Sequence, residues 1–261
     1  MTNGTYNIQV RFLGGLTATQ EAAFTSAADR WSQLISADVP RFRFNGEVVD
    51  DILIEARGAH IDGDRGVLGQ AAPTRLRPGS LLPATGFMEF DSADLQRMEL
   101  DGSLENVIIH EMGHVIGMGT IWARLGLLEG AGTANPVFTG ENAMREFADL
   151  MGTDEPAPVP VENRGGRGTR DGHWRDLVFA NELMTGFLNI GPNPVSRVTL
   201  AALEDMGYQV SFDAADDFNL PGFLELAILG ITAREHPQGC MMAGFRRREV
   251  EPEVLPESDL L

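Results

Sequence analysis

The stretch HEMGHVIGMGT, His110 to Thr120, sets two histidines four residues apart with a glutamate directly after the first. On an α-helix that spacing stacks both imidazoles on one face, one turn apart, where their nitrogens can reach a single metal ion. Zinc suits such a pair, and a water held by it has its pKa lowered to about 7. Glu111, beside the pair, is then placed to take that water's proton as a general base. A zinc site that performs chemistry needs a third protein ligand and an open position. After Gly117, Thr120 stands where a continuous motif would carry that ligand, which leaves His60, His173 and His236 as candidates.

The elements that must position these residues can be read from periodicity. Leu104, Ile108, Met112 and Val115 form one apolar stripe on the histidine helix, Ser103 is its expected cap, and Gly117 is expected to end it in a left-handed turn. Upstream, Ile8, Val10 and Phe12 alternate as in a strand, Thr19 to Ile35 carries Phe24, Ala27, Trp31 and Leu34 at helical spacing, and DDILIEARG and TGFMEFD read as further strands. Gly- and Pro-rich text from Ala59 to Gly86 reads as loop around short strands. The expected organisation is an N-terminal α/β subdomain, residues 1–117, that includes the histidine helix. Residues 118–212 form a second subdomain with a long insertion, one helix near Glu141 to Met151, His173 and a helix in RVTLAALEDMGYQV. Residues 213–261 form a partly helical extension with an acidic tail.

Bulk composition narrows the function classes. With 43% apolar residues the 261-residue chain can bury a sizeable core. A formal net charge of -18, with arginine supplying every basic side chain, argues against a nucleic-acid or anionic-membrane partner, since phosphates would be repelled. Cys240 is the only cysteine, so neither an intrachain disulfide nor a Cys-rich zinc site can form. No basic start followed by an apolar run marks a signal peptide, and FLELAILGI is too short to span a bilayer.

His173 stands in DGHWRDLVFANELMTG, eleven residues before Met184. Taken together, HEMGHVIGMGTIW, the long insertion before HW, then NELMTG and SRVTLAALEDMGY resemble the leishmanolysin family of zinc metalloendopeptidases, in particular its bacterial members, over about Tyr6 to Val210. The resemblance implies a metzincin-like α/β (α+β) fold: an N-terminal twisted mixed sheet with two long helices, a cleft, and a smaller irregular or helical C-terminal subdomain. It implies His110, His114 and His173 as zinc ligands, Glu111 as general base, and Met184 in the methionine turn beneath the metal. Extended peptide or protein substrates, a monomer and an extracellular location follow from it, although no signal peptide is seen. The lone late cysteine speaks against regulation by a propeptide cysteine. A zinc-stabilised binding or adhesion module with weak turnover is the alternative, and the presence of Glu111 counts against it.

A second constellation resembles the calcium loop of matrixins, another metzincin branch. In IDGDRGVLGQA and EFDSAD, that similarity implies side-chain ligands from Asp62, Asp91 and Asp94 and carbonyl ligands from Gly63, Arg65 and Val67. VLGQA resembles the edge strand that pairs with an extended substrate. After the methionine turn, Phe187, Leu188, Ile190 and Val195 give an apolar tone to the expected pocket wall, with Arg197 either reaching the pocket or capping its rim.

Overall fold

The computed structural model describes residues 4–63, 68–166, 168–186, 192–222 and 251–261. Strand β1 (Ile8–Phe12) leads into helix α1 (Ala18–Leu34), whose start is fixed by a reciprocal capping box between Thr17 and Gln20. Phe24, Ala27, Trp31 and Leu34, the residues at helical spacing, are all buried. A hairpin of β2 (Phe42–Phe44) and β3 (Glu47–Val49) precedes β4 (Ile52–Ala59), β5 (Gly69–Leu76) and β6 (Pro83–Asp91). Helices α2 (Ser92–Asp101) and α3 (Leu104–Ile116) follow. The second half holds β7 (Leu128–Glu129), β8 (Val137–Phe138), α4 (Glu141–Met151), β9 (Val159–Pro160), α5 (Asp176–Phe179), α6 (Arg197–Met206) and, near the end, β10 (Glu253–Val254).

The main sheet has the order β1-β4-β6-β5-β10. β1, β4 and β6 are mutually parallel, β5 runs antiparallel to β6, and β10 lies parallel to β5, so the sheet is mixed. Side-chain alternation along β4 divides its two faces: Ile52, Ile54 and Ala56 join the core under α1 and α3, while Leu53 joins Phe42, Val49, Ala84 and Leu255 on the other side. Gly86 lets α3 lie close to the sheet, because a Cβ there would come within 2.2 Å of the Val115 side chain. The principal core is continuous from Tyr6 to Tyr208 and includes residues of both halves. Among the described residues, no helix is long and apolar enough to cross a membrane.

Two local expectations change, and two further features come from contacts distant in sequence. The Gly- and Pro-rich stretch after Ala59 contains the eight-residue strand β5, which tolerates Pro73 because it lies beside a shift in register near the sheet margin. Ser103 does not cap α3 through its side chain; its backbone N–H and hydroxyl both donate to Asp101 Oδ1, at 3.0 and 2.6 Å. Helix α2 is started by Asp91, whose side chain accepts the Ala93 N–H. Near the chain end, Leu255 N–H donates to the Leu76 carbonyl (2.8 Å) and Leu261 N–H to the Arg41 carbonyl (2.9 Å), strapping β5 to the β2–β3 hairpin.

Asp91 is the junction of β6, α2 and the loop after β4. Its Oδ2 accepts the N–H groups of Ile61, Asp62 and Gly63 at 2.7, 2.8 and 2.9 Å, while Oδ1 takes that of Ala93 at 2.8 Å. Burial alone would raise its pKa; the four donors outweigh burial and hold it at about 2.

Two stability predictions follow from these contacts. An unfolded aspartate titrates near 3.9, so Asp91 binds fewer protons folded than unfolded as pH falls below about 4; its contribution, about 2 to 3 kcal/mol when fully ionised, is lost as pH drops toward about 2. Acid unfolding of Asp91→Asn should therefore be flatter over that window than wild type, read by circular dichroism; parallel curves would contradict the staple. Leu255→Ala should cost about 2 kcal/mol or more in denaturant unfolding, as buried leucine truncations do, if the terminal strap is part of the folded core.

Candidate metal centre

Helix α3 brings His110 and His114 onto one face, both buried, with Glu111 buried between them in sequence. The helix ends where Gly117, at φ 123°, turns the chain and donates its N–H to the carbonyls of Gly113 and His114. Tyr208 Oη donates to the Ile116 carbonyl (2.9 Å) and anchors this last turn. Two residues on, Gly119 (φ 71°) passes so near the returning insertion that a Cβ would lie 1.9 Å from the Gly172 carbonyl oxygen. Glycine at 119 permits that approach, which delivers His173 beside the helix end. Thr120 has a structural task there: its hydroxyl donates to the His114 carbonyl at 2.8 Å.

His173 sits on a short segment held from both sides. Glu162 N–H donates to the His173 carbonyl (2.8 Å), and Trp174 N–H donates to the Met184 carbonyl (2.9 Å). The three Nε2 atoms converge: 3.0 Å between His110 and His114, 2.9 Å between His114 and His173, and 3.2 Å between His110 and His173. Each Nδ1 meets a backbone carbonyl, that of Leu183 for His110 (2.7 Å), Met118 for His114 (2.8 Å) and Thr169 for His173 (2.8 Å). A carbonyl can only accept, so each neutral ring carries its proton on Nδ1 and turns the lone pair of Nε2 inward. Three acceptors cannot hydrogen-bond to one another. They fit a cation, since nitrogens at about 2.0 to 2.1 Å from a tetrahedral zinc lie about 3.3 Å apart. Burial lowers the His110 pKa to about 4, against a weaker opposing effect of its Leu183 bond, which favours the uncharged form that ligates metal.

Among the described residues, these histidines are the one group of three whose ligand atoms lie close enough to share an ion. His60 is apart, its side chain 77% exposed and 3.9 Å from Asp91. His236 falls outside the described residues. Met184 is buried with its sulfur against α3: a Cβ on Gly113 would come 2.8 Å from Met184 Sδ. A glycine inside a helix is the signal that could have announced this contact.

The other constellation is arranged differently. Asp91 gives its oxygens to four N–H donors, Asp94 Oδ1 pairs with Arg97 (2.7 Å), and Asp62 is exposed. Asp91 thus ties the loop after β4 to the start of α2, with Gly63 as one of its donors, and Arg65 and Val67 lie outside the described residues. Of the expected pocket wall, Val195 is buried, while Phe187, Leu188 and Ile190 also lie outside the described residues. Arg197 is held by Glu146 through two contacts of 2.7 Å and lies over the Phe212 ring, as a rim arginine would.

The leishmanolysin family model matches residues 50–220, about two thirds of the chain and a span containing His110, Glu111, His114, His173 and Met184. The chain is 26% identical over 133 residues to a leishmanolysin homolog of Crithidia fasciculata, a match covering 48% of this chain and 20% of that protein. It is 25% identical over 143 residues to leishmanolysin of Leishmania donovani, covering 52% of this chain and 24% of that protein. The matched stretch is therefore a quarter or less of the length of either curated relative. With the family model spanning most of its length, this chain belongs to the leishmanolysin family.

Proposed function

We propose that this chain is a zinc-dependent endopeptidase of metzincin type, with His110, His114 and His173 as the zinc ligands and Glu111 as the general base. The observation that carries the reading is the convergence of three buried Nε2 atoms whose tautomers are set by backbone carbonyls. Zinc in that position would supply a positive centre that acidifies water and polarises a scissile carbonyl. The chain's own residues do the rest. The three imidazoles, neutral and fixed in direction by their carbonyl partners, would hold the ion. Glu111, buried on the same helix directly after His110, would take the proton of the attacking water and pass it to the leaving amine as a general base and acid.

Residues 1–117 and 118–212 are then the two walls of a substrate cleft, with the start of β5, ahead of its pairing with β10 at Arg75 and Leu76, offering backbone groups to an extended peptide. Met184 supports the site from below, its sulfur packed on Gly113.

Purified protein should carry about one zinc per chain by plasma mass spectrometry and cleave casein or a quenched peptide in a chelator-sensitive way. His173→Ala should lose most of the metal, because it removes one of three ligands. Glu111→Ala should keep zinc and fold while turnover falls by about 10²- to 10⁴-fold, the usual worth of a general acid–base group. A Glu111→Ala protein with wild-type turnover at saturating substrate would overturn the mechanism. Zinc binding without proteolysis in the wild type would leave a binding module.

A further inference from the structure

Behind the histidines lies a fully buried carboxylate to which no role has yet been given. Glu182 is inaccessible to solvent, and all four of its hydrogen-bond partners are donors. Oε2 accepts the Met184 N–H at 2.6 Å. Oε1 accepts the Ser196 N–H at 3.1 Å, the Ser196 hydroxyl at 2.8 Å and the Thr199 hydroxyl at 2.5 Å. The hydroxyl directions are fixed from behind: Ser196 Oγ accepts the Thr199 N–H (3.3 Å), and Thr199 Oγ1 accepts the indole N–H of Trp174 (2.8 Å). Both hydroxyl protons therefore point at Glu182.

Two of these partners lead toward the metal centre, Met184 through Leu183 and Thr199 through Trp174. Between Glu182 and Met184 lies Leu183, whose carbonyl accepts His110 Nδ1 and whose N–H is tied to the Pro194 carbonyl (2.9 Å). Trp174 follows His173, and its backbone N–H is bonded to the Met184 carbonyl. One carboxylate thus joins the start of α6, the corner that aims His110 and the residue next to His173. Burying it is costly, and burial pushes its pKa up against the donors of Thr199, Met184 and Ser196. A hydrophobic residue could pack the same space, but it could not fix a backbone corner by its N–H.

Resting on the metal-centre reading above, we propose that Glu182 is a positioning residue for that centre: it sets the Leu183–Met184 corner, and so the direction of His110 Nε2, while Thr199 carries the same constraint to Trp174 and His173. Glutamine is the informative replacement. Its carbonyl can replace only one carboxylate oxygen; with that oxygen toward Ser196 and Thr199, its amide N–H faces the Met184 N–H at 2.6 Å, and the corner must move.

The test uses the full chain loaded with cobalt(II) in place of zinc, whose visible d–d absorption reports ligand geometry, together with zinc affinity by chelator competition. Glu182→Gln and Thr199→Val should weaken zinc by about 10- to 100-fold, the range found for residues that orient metal ligands, and should alter the cobalt spectrum. Thr199→Ser, which keeps the hydroxyl, should restore both. Asp51→Asn is the stability control, since Asp51 is an equally buried carboxylate that accepts the Asn7 and Val39 N–H groups away from the histidines. It should lower the melting temperature and leave zinc affinity and the cobalt spectrum unchanged. If Glu182→Gln fails to fold, the Thr199 pair carries the test. Wild-type zinc affinity and an unaltered spectrum in folded Glu182→Gln or Thr199→Val would overturn the proposal, as would an equal loss of zinc in Asp51→Asn. Wild-type protein that binds neither metal would instead overturn the metal-centre reading itself.

Discussion

The arrangement on which the rest depends is electrostatic: three imidazole nitrogens, each made an acceptor by a carbonyl behind it, are pressed to within 2.9 to 3.2 Å of one another in the protein interior. Inward-facing lone pairs at that separation repel, and desolvation removes the water that would soften the repulsion. Such a cluster persists only if the scaffold holds each ring, and a cation between them turns the repulsion into ligation. The carbonyls of Leu183, Met118 and Thr169 do the holding, each from a different segment of backbone. The folding of those segments is thereby tied to one point in space.

Close backbone passages make this convergence sterically possible. Gly119 against Gly172 brings the insertion back to the end of α3, Gly113 admits the sulfur of Met184, and Gly86 lets the helix settle on the sheet. Each of these glycines costs chain entropy and, within a helix or strand, local propensity. The offset is geometric, since a Cβ at Gly119, Gly113 or Gly86 would fall within 2.8 Å of a neighbouring atom. On the far side of the sheet the chain end closes a small cluster of Phe42, Val49, Leu53, Ala84 and Leu255, so both faces are covered.

Much of this was legible in the sequence, for physical reasons. The i, i+4 spacing of His110 and His114 is a local property of a helix, and the apolar stripe of α3 and the spacing of Phe24, Ala27, Trp31 and Leu34 follow the same period. The nearness of His173 was legible from its neighbours and from the gap at Thr120, and the fold brings it to 2.9 Å from His114 across 59 residues. What escaped was non-local or masked by composition. Strand β5 is disguised by Pro73 and its register shift, and α2 starts from an aspartate whose carboxylate also serves a distant loop. The strap formed by the chain end depends on pairing with β5, 178 residues earlier in the register Glu253 to Arg75, which no local pattern can announce. The carbonyl partners of the histidines are backbone atoms and leave no residue signature.

The central claim, that His173 completes a three-imidazole metal site with His110 and His114, is tested most directly by zinc K-edge X-ray absorption on the purified, zinc-loaded protein. The zinc should be four-coordinate, with three imidazole nitrogens at about 2.0 to 2.1 Å, recognised by the multiple scattering of their rings, and one oxygen. The His173→Ala protein, if it retains any zinc, should show two imidazoles. A wild-type spectrum fitted by two imidazoles or by a carboxylate-rich shell, or one unchanged by His173→Ala, would contradict it.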